Sequence, residues 1–221
     1  MKKISRTLTG NCIKICKDIV NNKRYIITST ITKGTHMKVK GSAVATLPVF
    51  VKEKFGEAGF KKWLDSLSPE AQGVFEKNVI PVGWFPLEQT LSEPTKKICD
   101  LFYSGNVKGA WDSGRFSAEQ GLKGVYKVFI KLGSVAFITK KASTILPTYY
   151  EPSEMKVIDL QDKNAIVHIT RFDDADETID HRIGGWMEKA LELSGCKMVK
   201  VSITKSLAKG DPFTEFQISW G

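Results

Sequence analysis

Few residues in this chain could do chemistry. Only three histidines occur, His36, His168 and His181. Nothing places them at metal-ligand or triad spacing: H-E-x-x-H, G-x-S-x-G, the phosphate-binding G-x-x-x-x-G-K-[ST] and the dinucleotide motif G-x-G-x-x-G are all absent. His168 falls inside a strand-like run, where a histidine is held by hydrogen bonds or selects a polar group of a ligand. The densest polar run is Asp173, Asp174, Asp176, Glu177 and Asp180. It lacks the calcium loop's alternating acids, glycine and distal glutamate. It precedes a helical pattern, where carboxylates cap free N–H groups and complement the positive end of the helix dipole. No catalytic residue and no metal ligand is assigned, and no cofactor is expected.

Aromatic side chains form the other cluster. Trp and Tyr join an apolar body to a polar handle and line concave pockets. Trp84, Trp111, Tyr126, Phe129, Tyr149, Tyr150 and Trp186 are the expected walls of any ligand cavity, with His168 as a polar contact.

The elements that must position these residues follow from periodicity. Ala43 to Phe55 carries Val44, Leu47, Val51 and Phe55 at helical spacing, with Gly56 as the stop. Phe60, Trp63, Leu64 and Leu67 give a second short helix, and Ser68-Pro69-Glu70 is a helix start. Two more helical patterns run through Leu91, Ile98, Leu101 and Phe102, then through Val125, Val128, Phe129 and Leu132. Another spans Ala136 to Leu146 and should end at Pro147. After Pro152 the period becomes two. Met155–Leu160 and Ala165–Phe172 flank a Gln161-Asp162-Lys163-Asn164 turn. An amphipathic helix from Ile179 to Leu191 stops at Gly195, and strands at Val199–Ile203 and Thr214–Trp220 flank the turn Ala208–Pro212. Hairpin, helix, hairpin predicts a four-stranded antiparallel sheet with helices on one face. The fold class is α+β, an N-terminal helical bundle packed on that sheet.

The chain has 221 residues and a formal net charge of +9. Eight basic residues and one acid in residues 1–36 account for +7, leaving +2 on residues 37–221. The body is nearly neutral and has no helix-turn-helix or RNA-recognition signature, which argues against nucleic-acid binding. Residues 1–36 read as a basic extension, either loosely ordered or lying upstream of the true start. Met37 is the expected start, because Lys33-Gly34 can be encoded by a purine-rich ribosome-binding stretch. No window reaches the roughly 18 apolar residues of a membrane span. Four cysteines (Cys12, Cys16, Cys99 and Cys196) without a CxxC pair fit a reducing, cytoplasmic setting. Residues 37–221 are expected to form a single ligand-binding-type domain.

The C-terminal third carries a resemblance. His181-Arg182-Ile183-Gly184-Gly185-Trp186, Gly195, Val199-Lys200-Val201 and Ser206 to Phe216 resemble the 4-vinyl reductase-type domain. That family shares a ligand-binding fold with haem nitric-oxide sensors and the small Golgi-tethering TRAPP subunits. Residues 37–221 also resemble a bacterial family of unknown function best known from myxobacteria, through Gly41, Phe55-Gly56, Trp84-Phe85-Pro86, Gly185-Trp186 and Ile218-Ser219-Trp220. The family's three cysteines fall on His181, Ser206 and Thr214. Hydroxyls are poor replacements for thiolates, so the resemblance implies that a metal or cluster site is lost. The haem-sensing relatives use a mid-domain helical histidine upstream of Tyr-x-Ser-x-Arg. Here no histidine lies between Met37 and Val167, and that motif is absent.

The resemblance implies a non-catalytic small-molecule-binding or sensory domain. Its apolar pocket between helices and sheet would be haem-free and take a small apolar or aromatic ligand. The alternative is a homo-oligomerising scaffold module, such as a homodimer, like the Golgi-tethering subunits. A reductase ranks last, because no cofactor motif or acid–base pair supports it.

Overall fold

Residues 37–122 and 143–221 are described by the computed structural model. Strand β1 (Lys38–Lys40) lies between β2 (Trp84–Pro86) and β3 (Tyr150–Glu151) in a small antiparallel sheet. Met37 and Val39 are fully buried at its start. A short helix α1 (Gly41–Val44) leads into α2 (Thr46–Asp65). Helix α2 is two helical segments meeting at Gly56, whose φ of 70° and ψ of −178° suit a residue without Cβ. The expected stop at Gly56 is therefore a break, with helix on both sides.

Helix α3 (Pro69–Phe75) begins as its sequence predicts: the Ser68 hydroxyl accepts from Ala71 N, and Pro69 opens the first turn. The Glu93 carboxylate accepts from Ser68 N at 2.6 Å and Ser68 Oγ at 2.7 Å. This ties the start of α3 to α4 (Glu93–Phe102), which continues a π-helical turn at Glu88–Ser92. Trp63 is fully buried between them, its Nε1 donating to Pro94 O at 2.9 Å.

The second sheet contains β4 (Ser153–Leu160), β5 (Asn164–Phe172), β6 (Lys200–Lys205) and β7 (Thr214–Ser219). Its order is β4-β5-β7-β6, antiparallel throughout, which is the expected hairpin-helix-hairpin. Period-two alternation turns Ala165, Val167 and Ile169 of β5 inward, where Phe216 and Ile218 of β7 are buried with them. Helix α6 (Glu177–Leu193) joins the hairpins. Asp176 caps it by accepting from Thr178 N, and Glu177 and Asp180 occupy its first turn, as the acidic run predicts.

Helix α5 (Lys108–Gly121) crosses α6 at glycines. A Cβ on Gly114 would lie 1.9 Å from Arg182 O, and one on Gly185 would lie 2.1 Å from Trp111 O. Gly184 similarly leaves room for the Trp111 ring, which a Cβ would meet at 2.5 Å. These contacts need bare backbone on both helices. Arg115 of α5 then reaches Glu188 and Glu192 of α6, donating to Glu192 Oε2 at 2.8 Å.

Gly105, Gly109 and Gly114 read as punctuation in the sequence; Gly105 is a break, at φ 79° between α4 and α5, whereas Gly109 and Gly114 lie inside α5. Glycine costs a helix about 1 kcal/mol relative to alanine, and close helix packing outweighs that here. The three-stranded sheet was also not anticipated, because strands of two or three residues carry no period. Helical residues 143–149 continue two positions past Pro147. Proline's φ is itself helical, so the residues after it can keep helical geometry for a further half-turn. The helix expected over Val125–Leu132 lies outside the described residues, as does most of the one expected from Ala136.

Candidate functional site

A cavity of about 90 Å³ lies between the four-stranded sheet, α6 and the helical residues before β3. Each wall follows from a local pattern. Met155, Val167 and Ile218 are inward-facing residues of β4, β5 and β7. Ile183, Met187, Ala190 and Leu191 share one face of α6 at three- and four-residue spacing, with Trp186 beside them. Leu146, Tyr149 and Tyr150 close the opposite side. The lining is almost wholly apolar; among its described residues, Ser117, Tyr149, Tyr150, Arg182 and Trp186 carry polar side-chain groups.

Arg182 is the unusual member. It is 2% exposed and projects from α6 toward α1, α2 and α5. Its Nη1 donates to Ser113 Oγ at 2.7 Å, and its Nη2 to Ala43 O at 3.2 Å and Thr46 Oγ1 at 3.1 Å. The Tyr150 hydroxyl is a further partner. All four are neutral, and among the described residues no carboxylate pairs with Arg182. Burial pushes its guanidinium down from the ordinary value and pushes the Tyr150 phenol up. A guanidinium stays charged in proteins, so an uncompensated positive charge stands at the edge of an apolar cavity.

A second, polar cleft opens where α6 begins. Asp180 is buried at its floor, accepting from Ser206 Oγ at 2.6 Å and Thr214 Oγ1 at 3.3 Å. Burial pushes the Asp180 carboxyl up to about 6, against the opposing pull of the two hydroxyls. Ser206 and Thr214 also accept from backbone N–H groups of Ala208 and Leu207, fixing the turn between β6 and β7. His181 lines the cleft with its Nδ1 2.8 Å from Glu177 O, and its ring meets Trp111 edge-on. His181, Ser206 and Thr214 thus gather at one end of α6. Among the described residues, no group of three His, Cys, Asp or Glu side chains could hold a metal ion.

The sequence-predicted site residues divide. Tyr149, Tyr150 and Trp186 line the cavity. Trp111 lies on Gly184 and Gly185, its Nε1 donating to Glu188 at 2.8 Å, and faces the polar cleft. Trp84 is on the edge strand β2, 38% exposed beneath the Lys40 ammonium. His168 stands on the outer face of β5, stacked on Phe213 at 3.9 Å and 2.7 Å from Glu215 Oε2. The period of two puts it opposite cavity-lining Val167, so it does not reach the cavity. Tyr126 and Phe129 lie outside the described residues. Arg182 and Asp180 were not singled out from the sequence. The available signal was an arginine three residues after the buried Ile179, on the apolar stripe of α6.

The sheet order and the helical layer define a known architecture, that of the H-NOX proteins. An H-NOX protein from S. oneidensis in the Fe(II)NO ligation state is 12% identical, covering 82% of this chain and 99% of that one, with a TM-score of 0.64. The Fe(II) unliganded H-NOX protein from K. algicida is 13% identical over 82% of this chain and 96% of that one, with a TM-score of 0.59. A third structure, concerned with haem redox potential and protein-induced porphyrin distortion, is 11% identical over 82% and 98%, with a TM-score of 0.57. At these identities the likeness is one of fold. No family model matches the sequence, and no curated protein is similar to it.

Proposed function

We propose that the chain is a non-catalytic small-molecule-binding domain that holds a small apolar ligand between α6 and the sheet, without haem. The observation that carries this is the cavity of about 90 Å³ with its almost wholly apolar wall. Unfilled space against packed apolar walls forfeits packing contacts that a ligand can restore. An apolar cavity of about 150 Å³ stays dry and takes benzene or xenon, which sets the ligand's scale.

The described lining does not fit a haem, although the three H-NOX-fold structures invite one. Sites for drug-sized ligands run to about 300–1,000 Å³, well above this volume. His168 and His181 both point elsewhere, and neither Cys99 nor Cys196 borders the cavity. Tyr149, Tyr150, Met155 and Met187 are of types that can ligate haem iron, but Tyr150 is engaged by Arg182.

Signalling would then be a population shift. A ligand in the cavity favours whichever packing of α6 on the sheet it fits, by its difference in affinity between the two. The α5–α6 glycine crossing would carry that packing change to the polar cleft and to Arg115.

The test is native mass spectrometry of the full chain, with denaturing spectra alongside. The reading expects an extra small mass that leaves on denaturation and is absent from Ala190→Leu, in which the larger side chain occupies the cavity. It also expects no haem absorption band after growth with a haem precursor. A stoichiometric haem would overturn it, as would an adduct that Ala190→Leu retains.

A homodimeric scaffold is the second reading. Ile80, Val82 and Trp84 are 62%, 76% and 38% exposed, and they cluster at edge strand β2. A mass that doubles with concentration, and that Val82→Asp returns to the monomer, would favour it.

A further inference from the structure

We infer that the cavity's ligand is a small monocarboxylate, with its anionic head at Arg182 and its short apolar tail between α6 and the sheet. This rests on the proposed ligand-binding role of that cavity.

The argument starts from charge. Arg182 is 98% removed from solvent, and every partner it has among the described residues, Ser113 Oγ, Thr46 Oγ1, Ala43 O and the Tyr150 hydroxyl, is neutral. Buried charges in proteins are ordinarily paired, because losing water without gaining a counter-charge is costly. The nearest buried acid in sequence, Asp180, is turned away and held by Ser206 and Thr214. The surrounding elements supply no substitute. Among the described residues, Glu188 and Glu192 of α6 pair with Arg115, Glu177 with Lys209, and Asp112 of α5 with Lys54 and Lys108, while Glu119 lines a separate cleft beside Arg115 and Lys189. Arg182 and its partners Ala43 and Tyr150 all border the otherwise apolar cavity, and a guanidinium so placed recognises a carboxylate with a hydrocarbon tail.

Volume sets the tail. Scaled from benzene's six carbons in a cavity of about 150 Å³, about 90 Å³ holds a tail of roughly one to three carbons with the carboxylate head at Arg182, and excludes a long acyl chain. The neutral ring of partners also explains why the protein folds with its charge unpaired. They hold the guanidinium in place when the site is empty, and an anion completes the site.

The experiment is a titration of the full chain at neutral pH, followed by the methyl resonances of Met155, Val167 and Ile218. The probes are butyrate, its neutral isostere butyramide, and laurate. Butyrate should bind about 10- to 100-fold more tightly than butyramide, the range for hydrogen bonds to a charged partner. Arg182→Met should erase that ratio, while Arg182→Lys, which keeps the charge, should retain part of it. If Arg182→Met does not fold, the wild-type ratio and the lysine variant still decide. Equal binding of butyrate and butyramide would overturn the carboxylate assignment and leave the apolar-pocket reading intact. Tighter binding of laurate than of butyrate would overturn it too, pointing to a lipid acyl chain. No response to butyrate also overturns it, and the response of the same methyls to xenon then tells whether the pocket reading falls with it.

Discussion

Replacing Asp180 by asparagine should change how stability depends on pH. The carboxyl sits at about 6 in the folded protein against an ordinary value of 3.8, because burial disfavours its charge more than the Ser206 and Thr214 hydroxyls favour it. The folded state therefore holds a proton that the unfolded chain releases earlier. The resulting stabilisation is complete below about pH 3.8 and is lost as pH rises through about 6. A shift of about two units corresponds to about 3 kcal/mol. Asparagine copies the protonated shape and does not titrate. Its amide can still meet both hydroxyls, since each also has lone pairs to accept with. Urea unfolding of wild type and Asp180→Asn from pH 4 to pH 7.5 gives the comparison. The variant's stability relative to wild type should rise by about 2.5 kcal/mol across that range, the remainder being lost already at pH 4. Two curves that stay parallel within about 0.5 kcal/mol would refute the reasoning and show that the cleft hydrates the carboxylate.

Other perturbations test other parts of the account. Gly114→Ala should cost about 3 kcal/mol in denaturant unfolding, because its methyl would meet the Arg182 carbonyl rather than a flexible side chain; an unchanged midpoint would show that the α5–α6 crossing can open at little cost. Glu215 is held down to about 2 by hydrogen bonds from Thr204, His168 and Gln217. Its folded value is depressed, so its contribution is present above the ordinary 4.5 and fades as pH falls toward 2. Glu215→Gln should therefore unfold at a higher pH than wild type on acid titration, followed by circular dichroism.

Much of the fold was legible because it rests on period and punctuation. Alternation of Val167 and Ile169 with His168 marks β5, and the same alternation places His168 on the face away from the cavity. Ser68-Pro69 and Gly56 mark helix ends by mechanisms local to the chain. Helix α5 was not legible, since its glycines count against a helix until Gly184 and Gly185 arrive from 70 residues away. The site was half legible for the same reason. Tyr149, Tyr150 and Trp186 are aromatic and flank apolar runs. Arg182 reads as an ordinary solvated charge, and only tertiary packing brings Ala43, Thr46 and Ser113 around it. Ser206 and Thr214 stand eight residues apart, and the β6–β7 turn brings both to Asp180.

Xenon tests most directly whether the space between α6 and the sheet is a binding site, because it needs only apolar volume. Under xenon pressure, the methyl groups of Met155, Val167 and Ile218 in the full chain should shift together and saturate. The same resonances of Ala190→Leu should stay still. Shifts that never saturate, or that persist in the filled variant, would contradict the account.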